Sequence, residues 1–201
     1  MEFDDRIPIW EFFNVFEEVG ELPCSLDKRM LLTAENVDLS GCVELSLPQV
    51  RRLAEVLARN ISLTSITLGE DHTLPVGDLR NNEDIDWTNE NYTDTDAIFI
   101  SQLLRTNTTV KSLNLTNNLI EDAGAYALAE LLTKNNTMET LTLESNMLGE
   151  KAGRAFSVVL SLNNTLQRLN LKGNSIPLTI MQAIHTAWVA SRGSPFGLSL
   201  K

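Results

Sequence analysis

Residues 110–120, 138–148 and 166–176 read VKSLNLTNNLI, METLTLESNML and LQRLNLKGNSI, and they align without a gap at a fixed spacing of 28 residues. A fixed period of roughly 20–50 residues indicates that one supersecondary unit is stacked on copies of itself. Such stacks present extended surfaces to their partners. The period therefore predicts a binding module that builds no catalytic pocket of its own.

The positions inside one copy predict a strand, a bend and a helix. The alternation in Leu113-Asn114-Leu115 is typical of a short strand with one buried face. Three residues later the chain bends inward, and an asparagine amide there can satisfy backbone groups that the bend leaves unpaired. This bend position is held in successive copies by Cys42, Asn118, Asn146 and Asn174. Residues 122–132 and 150–160 then carry apolar side chains at helical spacing.

The copies read L-x-x-L-x-L-x-x-N-x-L, which resembles the leucine-rich-repeat family, and the full helix in each copy resembles its ribonuclease-inhibitor-like class. Degenerate copies place further strands at 34–39, 63–68 and 198–200. The resemblance implies an α/β fold, a right-handed solenoid with a short arc of about six parallel strands inside and helices outside. This solenoid is expected to span residues 31–201.

Residues 1–30 fit no copy of the repeat and are expected to form an N-terminal helical cap. Trp10, Phe13, Phe16 and Val19 fall on one helical face. Because an uncovered first repeat exposes its core, this face is expected to cover it. The alternative is a helix that binds a partner. No comparable cap follows the last strand, which is therefore either an edge or a point at which a longer protein was cut.

One repeat departs from the period, because Leu68 and Leu115 are 47 residues apart where 28 are expected. The 19 surplus residues fall within about 70–96, and we interpret this stretch as an acidic insertion. It holds nine acidic side chains against one basic side chain. Long loops in compact repeats are often functional. The simpler alternative is that the charges keep the loop solvated.

The charge of the chain is unevenly distributed. Residues 1–100 carry a net charge of −14 and residues 101–201 a net charge of +3. This balance argues against nucleic acid and anionic membranes as partners. It favours another protein that carries a basic patch and is attracted by electrostatic steering. Because no stretch approaches the roughly 18 apolar residues of a membrane span, no membrane insertion is expected.

The N-terminus predicts a cytoplasmic protein, with cytoskeletal association as an option. It reads Met-Glu-Phe-Asp-Asp and lacks the basic region of a secretory signal. Cys24 and Cys42 are accordingly expected to be buried thiols and not a disulfide. Six Asn-x-Ser/Thr triplets resemble glycosylation sites, but four of them recur where each helix ends. We expect those asparagines to be structural, since asparagine tolerates the left-handed backbone that ends helices.

The sequence offers no catalytic set, and we expect neither enzymatic activity nor a cofactor. The two histidines fall far apart in the repeat, and no CxxC or Gly-rich phosphate loop occurs. Residues 82–86 alternate oxygen ligands like the start of a calcium loop. Trp87 and Thr93, however, stand where that loop needs a glycine and a glutamate. No metal site is therefore expected.

Two groups of residues form the candidate partner-binding site. The acidic stretch contributes Asp78, Glu83, Asp84, Asp86, Trp87 and Tyr92. The concave strand face contributes Thr142, Glu144, Arg168, Asn170 and Lys172. The function expected from these residues is a non-enzymatic intracellular interaction module or scaffold that binds a partner protein through the concave face and the acidic insertion.

Three alternatives remain open. The segment 107–115, NTTVKSLNL, resembles the leucine-rich domain of tropomodulins, a resemblance that implies regulation of actin and the cytoskeleton. GTPase-activating proteins share this repeat class, and that likeness implies a regulator of a small GTPase. The repeats also resemble the ligand-sensing part of nucleotide-binding receptors.

Overall fold

The computed structural model describes residues 28–42, 45–69 and 72–201. The chain divides into two compact units, one ending at Asp78 and the other running from Leu79 to Lys201. The expected cap over residues 1–30 lies outside the described residues, apart from its last three, which begin a 3-10 helix at Lys28–Leu32.

The described part of the first unit contains two parallel repeat strands and one antiparallel strand. They are β1 (Asn36–Asp38), β2 (Ser65–Gly69) and β3 (His72–Leu74). Val37 lies opposite Ile66 in the parallel pair, as the alignment of the degenerate copies predicts. Both side chains are buried, so the apolar position of each strand faces the core.

Helix α1 (Leu47–Leu57) follows β1 and begins at a capping box. The backbone N–H of Ser46 donates to Oε1 of Gln49 at 2.9 Å, which satisfies one of the donors that a helix start leaves unpaired. Val50, Leu53 and Leu57 form its buried stripe. The helix therefore covers the same core as the strands.

The second unit is a solenoid of five parallel strands with a helix between each pair of strands. The strands are β4 (Asp84–Asp86), β5 (Ser112–Asn114), β6 (Thr140–Thr142), β7 (Arg168–Asn170) and β8 (Leu198–Ser199). The helices between them are α3 (Asp94–Leu104), α4 (Asp122–Leu131), α5 (Glu150–Val159) and α6 (Leu178–Arg192). The strands are hydrogen-bonded in chain order. This arrangement confirms the expected α/β solenoid, and the last predicted strand is present, with Leu198 opposite Leu169.

The bend asparagines each bind two neighbouring repeats. Nδ2 of Asn146 donates at 2.8 Å to the carbonyl oxygen of Leu115, which lies 31 residues earlier. Oδ1 of the same side chain accepts a 3.1 Å hydrogen bond from the N–H of Ile120, 26 residues earlier. Asn118 and Asn174 make the same pair of bonds one repeat earlier and one repeat later. The bend is thus fixed by side-chain hydrogen bonds across the repeat boundary.

A second asparagine ladder follows the helices and contains the four recurring Asn-x-Ser/Thr triplets. In each of these asparagines Oδ1 accepts the N–H two residues later, and Nδ2 donates to a carbonyl of the preceding repeat. The members are Asn60, Asn107, Asn135 and Asn163. They are structural, but the predicted reason is wrong, because none of them has a positive φ. They are retained for hydrogen bonding and not for a left-handed backbone.

The structure corrects the expected acidic insertion at about 70–96. Within it, β4 pairs in parallel with β5, and Ile85 lies opposite Leu113, 28 residues later. Helix α3 follows, so most of the stretch is a complete repeat and not a loop. Trp87 and Tyr92 occupy core positions of this repeat and are only 6% and 2% exposed.

The period changes earlier in the chain, between β2 and β4. Ile66 and Ile85 are 19 residues apart, which is too short for a strand, a bend and a helix of ten residues. The intervening residues form β3 and the six-residue helix α2 (Val76–Asn81). The irregularity is therefore a shortened repeat, and the 47-residue spacing is one short repeat followed by one regular repeat.

Cys42 is disulfide-bonded, and no cysteine among the described residues is free. The other cysteine of the sequence, Cys24, lies outside the described residues. The prediction of a buried Cys42 thiol is therefore wrong. It rested on the expected compartment, which carries no information on whether two cysteines meet in the fold.

Candidate functional site

The strands of the second unit present three rows of polar side chains on the face opposite their buried leucines. The first row contains Asp84, Ser112, Thr140 and Arg168, which the parallel register places side by side. Its two end members are exposed and its two central members are half-buried. The row therefore runs from an acidic side chain through two hydroxyls to a basic one.

The second row lies two residues further along each strand and is tied together by hydrogen bonds. Its members are Asp86, Asn114, Thr142 and Asn170. Nδ2 of Asn114 donates to Oδ1 of Asp86 at 3.1 Å, and that oxygen also accepts the Thr88 hydroxyl at 2.6 Å. The Asp86 carboxylate is therefore held in one orientation while its residue stays exposed.

The third row lies just beyond the strands, and its members are Thr88, Thr116, Glu144 and Lys172. Backbone hydrogen bonds continue past the strands at this level, with the carbonyls of the last three members accepting N–H groups from the preceding repeat. Oε2 of Glu144 accepts Nδ2 of Asn170 at 2.7 Å, which joins the second and third rows. We name the twelve residues of these three rows the strand face.

Opposite charges lie at the two sides of the strand face. Asp84 and Asp86 stand on β4, whereas Arg168 and Lys172 stand on or just after β7. Because neighbouring strands are about 4.8 Å apart, three strand spacings separate the two sides by about 14 Å. The face is thus bipolar, with neutral hydroxyls and amides between the charges.

Glu83 extends the acidic side but is already paired. The Lys111 ammonium donates to the Glu83 carboxylate at 2.8 Å, and both side chains are largely exposed. This hydrogen bond raises the pKa of Lys111 above its ordinary value. Exposed pairs of this kind contribute little to stability, so Glu83 is a weaker candidate for a partner contact than Asp84.

The predicted site residues divide into three sets. The strand face brings together Asp84, Asp86, Thr142, Glu144, Arg168, Asn170 and Lys172. Trp87 and Tyr92 pack edge to face in the core, with ring centroids 5.6 Å apart, so burial removes them from the surface that a partner reaches. Asp78 belongs to the first unit. Thr88 was missed, because its strand was read as part of a loop.

The described residues offer no arrangement for metal binding, since no group of three or more His, Cys, Asp or Glu side chains among them is placed to hold an ion. His72 lies in the first unit and His185 in the second. Within the described ranges, no helix is long and apolar enough to cross a membrane. The strand face can therefore bind by charge and hydrogen bonding.

Comparison with known proteins identifies the repeat. A family model described as Leucine Rich repeat matches residues 106–129 and 162–184. These segments contain the ends and starts of helices and the strand β5, where the 28-residue register is most regular. No curated protein sequence matches the chain at a significant level.

Two solved structures are similar to this chain. One is described as Leiomodin-1 Actin-Binding Site 2, with 18% sequence identity and a TM-score of 0.44 over 93% of this chain and 91% of that chain. The other is a tropomodulin C-terminal domain from Caenorhabditis elegans, with 12% identity and a TM-score of 0.45 over 90% of this chain and 93% of that chain.

Proposed function

Because this chain is built of leucine-rich repeats, we propose that it is a non-enzymatic protein-interaction module that binds a partner through the strand face of its second unit. The observation that carries the proposal is the bipolar strand face, in which Asp84 and Arg168 are exposed at opposite sides. Repeat solenoids bind their partners over extended surfaces of this kind.

The composition of the strand face indicates how it binds. It contains no aromatic side chain, although aromatic and arginine side chains dominate tight interfaces. Its charges and hydroxyls favour electrostatic recognition, which accelerates association and provides specificity. The partner is expected to place basic side chains against Asp84 and Asp86 and to bind with a marked dependence on ionic strength.

Affinity capture with charge-reversed variants tests this proposal. The Asp84→Arg variant is expected to lose most of the captured partner, because a basic patch then meets a positive charge. Glu121→Arg is the matched control, since Glu121 is an exposed acid before α4 and lies outside the strand face. Equal partner recovery by Asp84→Arg, Glu121→Arg and the wild-type chain would remove the strand face from the proposal.

Actin is the first specific partner to test, because residues 107–115 resemble the leucine-rich domain of tropomodulins. Val110, Leu113 and Leu115 in this segment are fully buried core residues. Much of the resemblance therefore concerns positions that the repeat itself requires. If actin is the partner, the chain slows pointed-end elongation of filaments whose barbed ends are blocked, and Asp84→Arg relieves the effect. Unchanged elongation with the wild-type chain excludes actin capping.

We also propose a cytoplasmic location, supported by the second asparagine ladder. Asn60, Asn135 and Asn163 are buried and use their amide nitrogens in hydrogen bonds, so none of them can carry a glycan in the folded state. The Cys42 disulfide points the other way, since disulfides persist in oxidising compartments. Treatment of the native protein with an N-glycosidase is expected to leave its mobility unchanged. A shift in mobility contradicts the location.

A further inference from the structure

We propose that the strand face binds the strand face of a second copy of this chain, in a pair related by a two-fold axis. This inference rests on the proposed function, because it names a partner for the same surface. The observation that carries it is the order of charge in the first row, which is acidic at β4 and basic at β7.

The first row is complementary to its own reversed copy. Read from β4 to β7 it is Asp84, Ser112, Thr140 and Arg168. When a second row is turned over and laid against it in reverse order, Asp84 meets Arg168 of the second copy, and Arg168 meets Asp84 of the second copy. The hydroxyls of Ser112 and Thr140 meet in the middle. A two-fold interface requires this kind of self-complementarity.

The other two rows agree with the same superposition. In the second row the reversal places Asp86 against Asn170 and Asn114 against Thr142, which are pairs of hydrogen-bond donors and acceptors. In the third row it places Thr88 against Lys172 and Thr116 against Glu144. No pair of like charges is created in any row. The arrangement therefore satisfies all three rows at once.

Charge also selects the direction of the two-fold axis. An axis parallel to the strands reverses the strand order and makes the complementary pairs described above. An axis perpendicular to the strands keeps β4 opposite β4 and exchanges the first and third rows. It would bring Asp86 against Asp86 of the second copy and Arg168 against Lys172 of the second copy. Like charges directly opposite each other are unfavourable, so the parallel axis is the one expected.

The two charged ends of the first row are free to make these contacts. Neither Asp84 nor Arg168 makes a side-chain hydrogen bond or a salt bridge with any residue that the structure describes. In this they differ from Glu83, which pairs with Lys111, and from Glu144, which accepts a hydrogen bond from Asn170. Two exposed, unpaired opposite charges on one row are therefore matched by the same two charges on a second copy.

The overall charge of the second unit permits self-association. Residues 79–201 contain ten basic and twelve acidic side chains, a net charge of −2, whereas the whole chain carries −11. Repulsion between two second units is therefore small, and most of the excess charge belongs to the first unit. Because the contacts are exposed charge pairs, the dimer is expected to be weak and to dissociate as salt is added.

Sedimentation velocity of the full chain with reciprocal charge reversals tests the pairing. The wild-type chain is expected to form a dimer at low ionic strength, about 0.01 M, that dissociates at about 1 M. Asp84→Arg and Arg168→Asp are each expected to sediment as monomers, because each places like charges opposite one another twice. An equimolar mixture of the two variants is expected to dimerise again, because every contact between the two different copies is then complementary.

Matched controls separate the strand face from general charge effects. Glu121→Arg and Lys151→Asp reverse exposed charges beside or on the helices, and both variants are expected to dimerise like the wild-type chain. Circular dichroism checks that every variant is folded, which is expected because all the substituted side chains are exposed. A wild-type chain that is monomeric at low salt, single variants that still dimerise, or a mixture that stays monomeric each overturn the inference.

Failure of self-association is distinguishable from failure of the proposed function. If the wild-type chain is monomeric but Asp84→Arg loses a captured partner, the second copy is excluded and the strand face remains a binding surface. If Asp84→Arg changes neither sedimentation nor capture, both the inference and the proposed function fail. Dimerisation restored in the mixture supports the second copy as a ligand of the strand face.

Discussion

Oδ1 of Asn118 accepts a 2.9 Å hydrogen bond from the backbone N–H of Tyr92, which lies 26 residues earlier in the chain. The same side chain donates through Nδ2 to the carbonyl of Trp87 at 2.9 Å and to that of Leu115 at 3.0 Å. One buried amide therefore connects two consecutive bends. It also shows that the acidic stretch before β5 is organised like the regular repeats that follow it.

Replacement of Asn118 by alanine is expected to destabilise the protein by about 3 kcal/mol, because several buried backbone groups lose their partner at once. The free energy of unfolding in urea measures the effect. Asn164→Ala is the matched control, since Asn164 is exposed and its side chain makes no hydrogen bond to any described residue. A loss no larger than that of the control contradicts a structural role for the bend asparagine.

Trp87 is expected to matter for stability and not for the partner contact. Its side chain is 6% exposed and packs against Tyr92, so Trp87→Ala leaves a cavity and costs about 3–5 kcal/mol. Asp84→Asn, three residues earlier on the exposed side of β4, is expected to stay within about 0.5 kcal/mol of the wild-type chain. Urea unfolding of both variants measures the difference. Similar stability of the two variants contradicts the packing of Trp87.

The sequence predicts the regular part of the fold because the repeat positions are chemically strict there. Leucines alternate along β5, β6 and β7, and an asparagine follows each strand at the bend. The repeat around β4 escapes this reasoning because Trp87 replaces a strand leucine and Glu90 replaces the bend asparagine. The backbone N–H of Glu90 donates instead to Asn118, so the next repeat supplies the missing amide.

The strand face could be predicted in composition but not in pairing. Alternation along the strands identifies which side chains face outward, so Thr142, Arg168 and Asn170 are recognisable from the sequence. The neighbour of Arg168 across the sheet depends on the register, and the first member of its row, Asp84, lay in a stretch read as a loop. A row with opposite charges at its ends becomes visible only when β4 is aligned with the other strands.

Cys42 is expected to resist alkylation by iodoacetamide in the native protein, because it is disulfide-bonded and buried. Mass spectrometry after reduction and denaturation should show that two cysteines per chain become alkylated, as the sequence contains two. The matched sample is alkylated after denaturation without reductant, and no modification is expected there. Alkylation in that sample identifies free thiols and contradicts the disulfide.

Gly124 in α4 is expected to tolerate no side chain, although alanine is normally the better helix residue by about 1 kcal/mol. A Cβ at this position would lie 2.8 Å from Cα of Asp94 and 2.8 Å from Cβ of Ala97. Because backbone atoms of α3 cannot move aside cheaply, Gly124→Ala should destabilise the protein by about 1–3 kcal/mol. Gly41→Ala is the control, since a Cβ there meets nothing within 4 Å. Thermal unfolding of the two variants measures the contrast, and a stabilised Gly124→Ala would show that helix propensity outweighs the packing of α4 against α3.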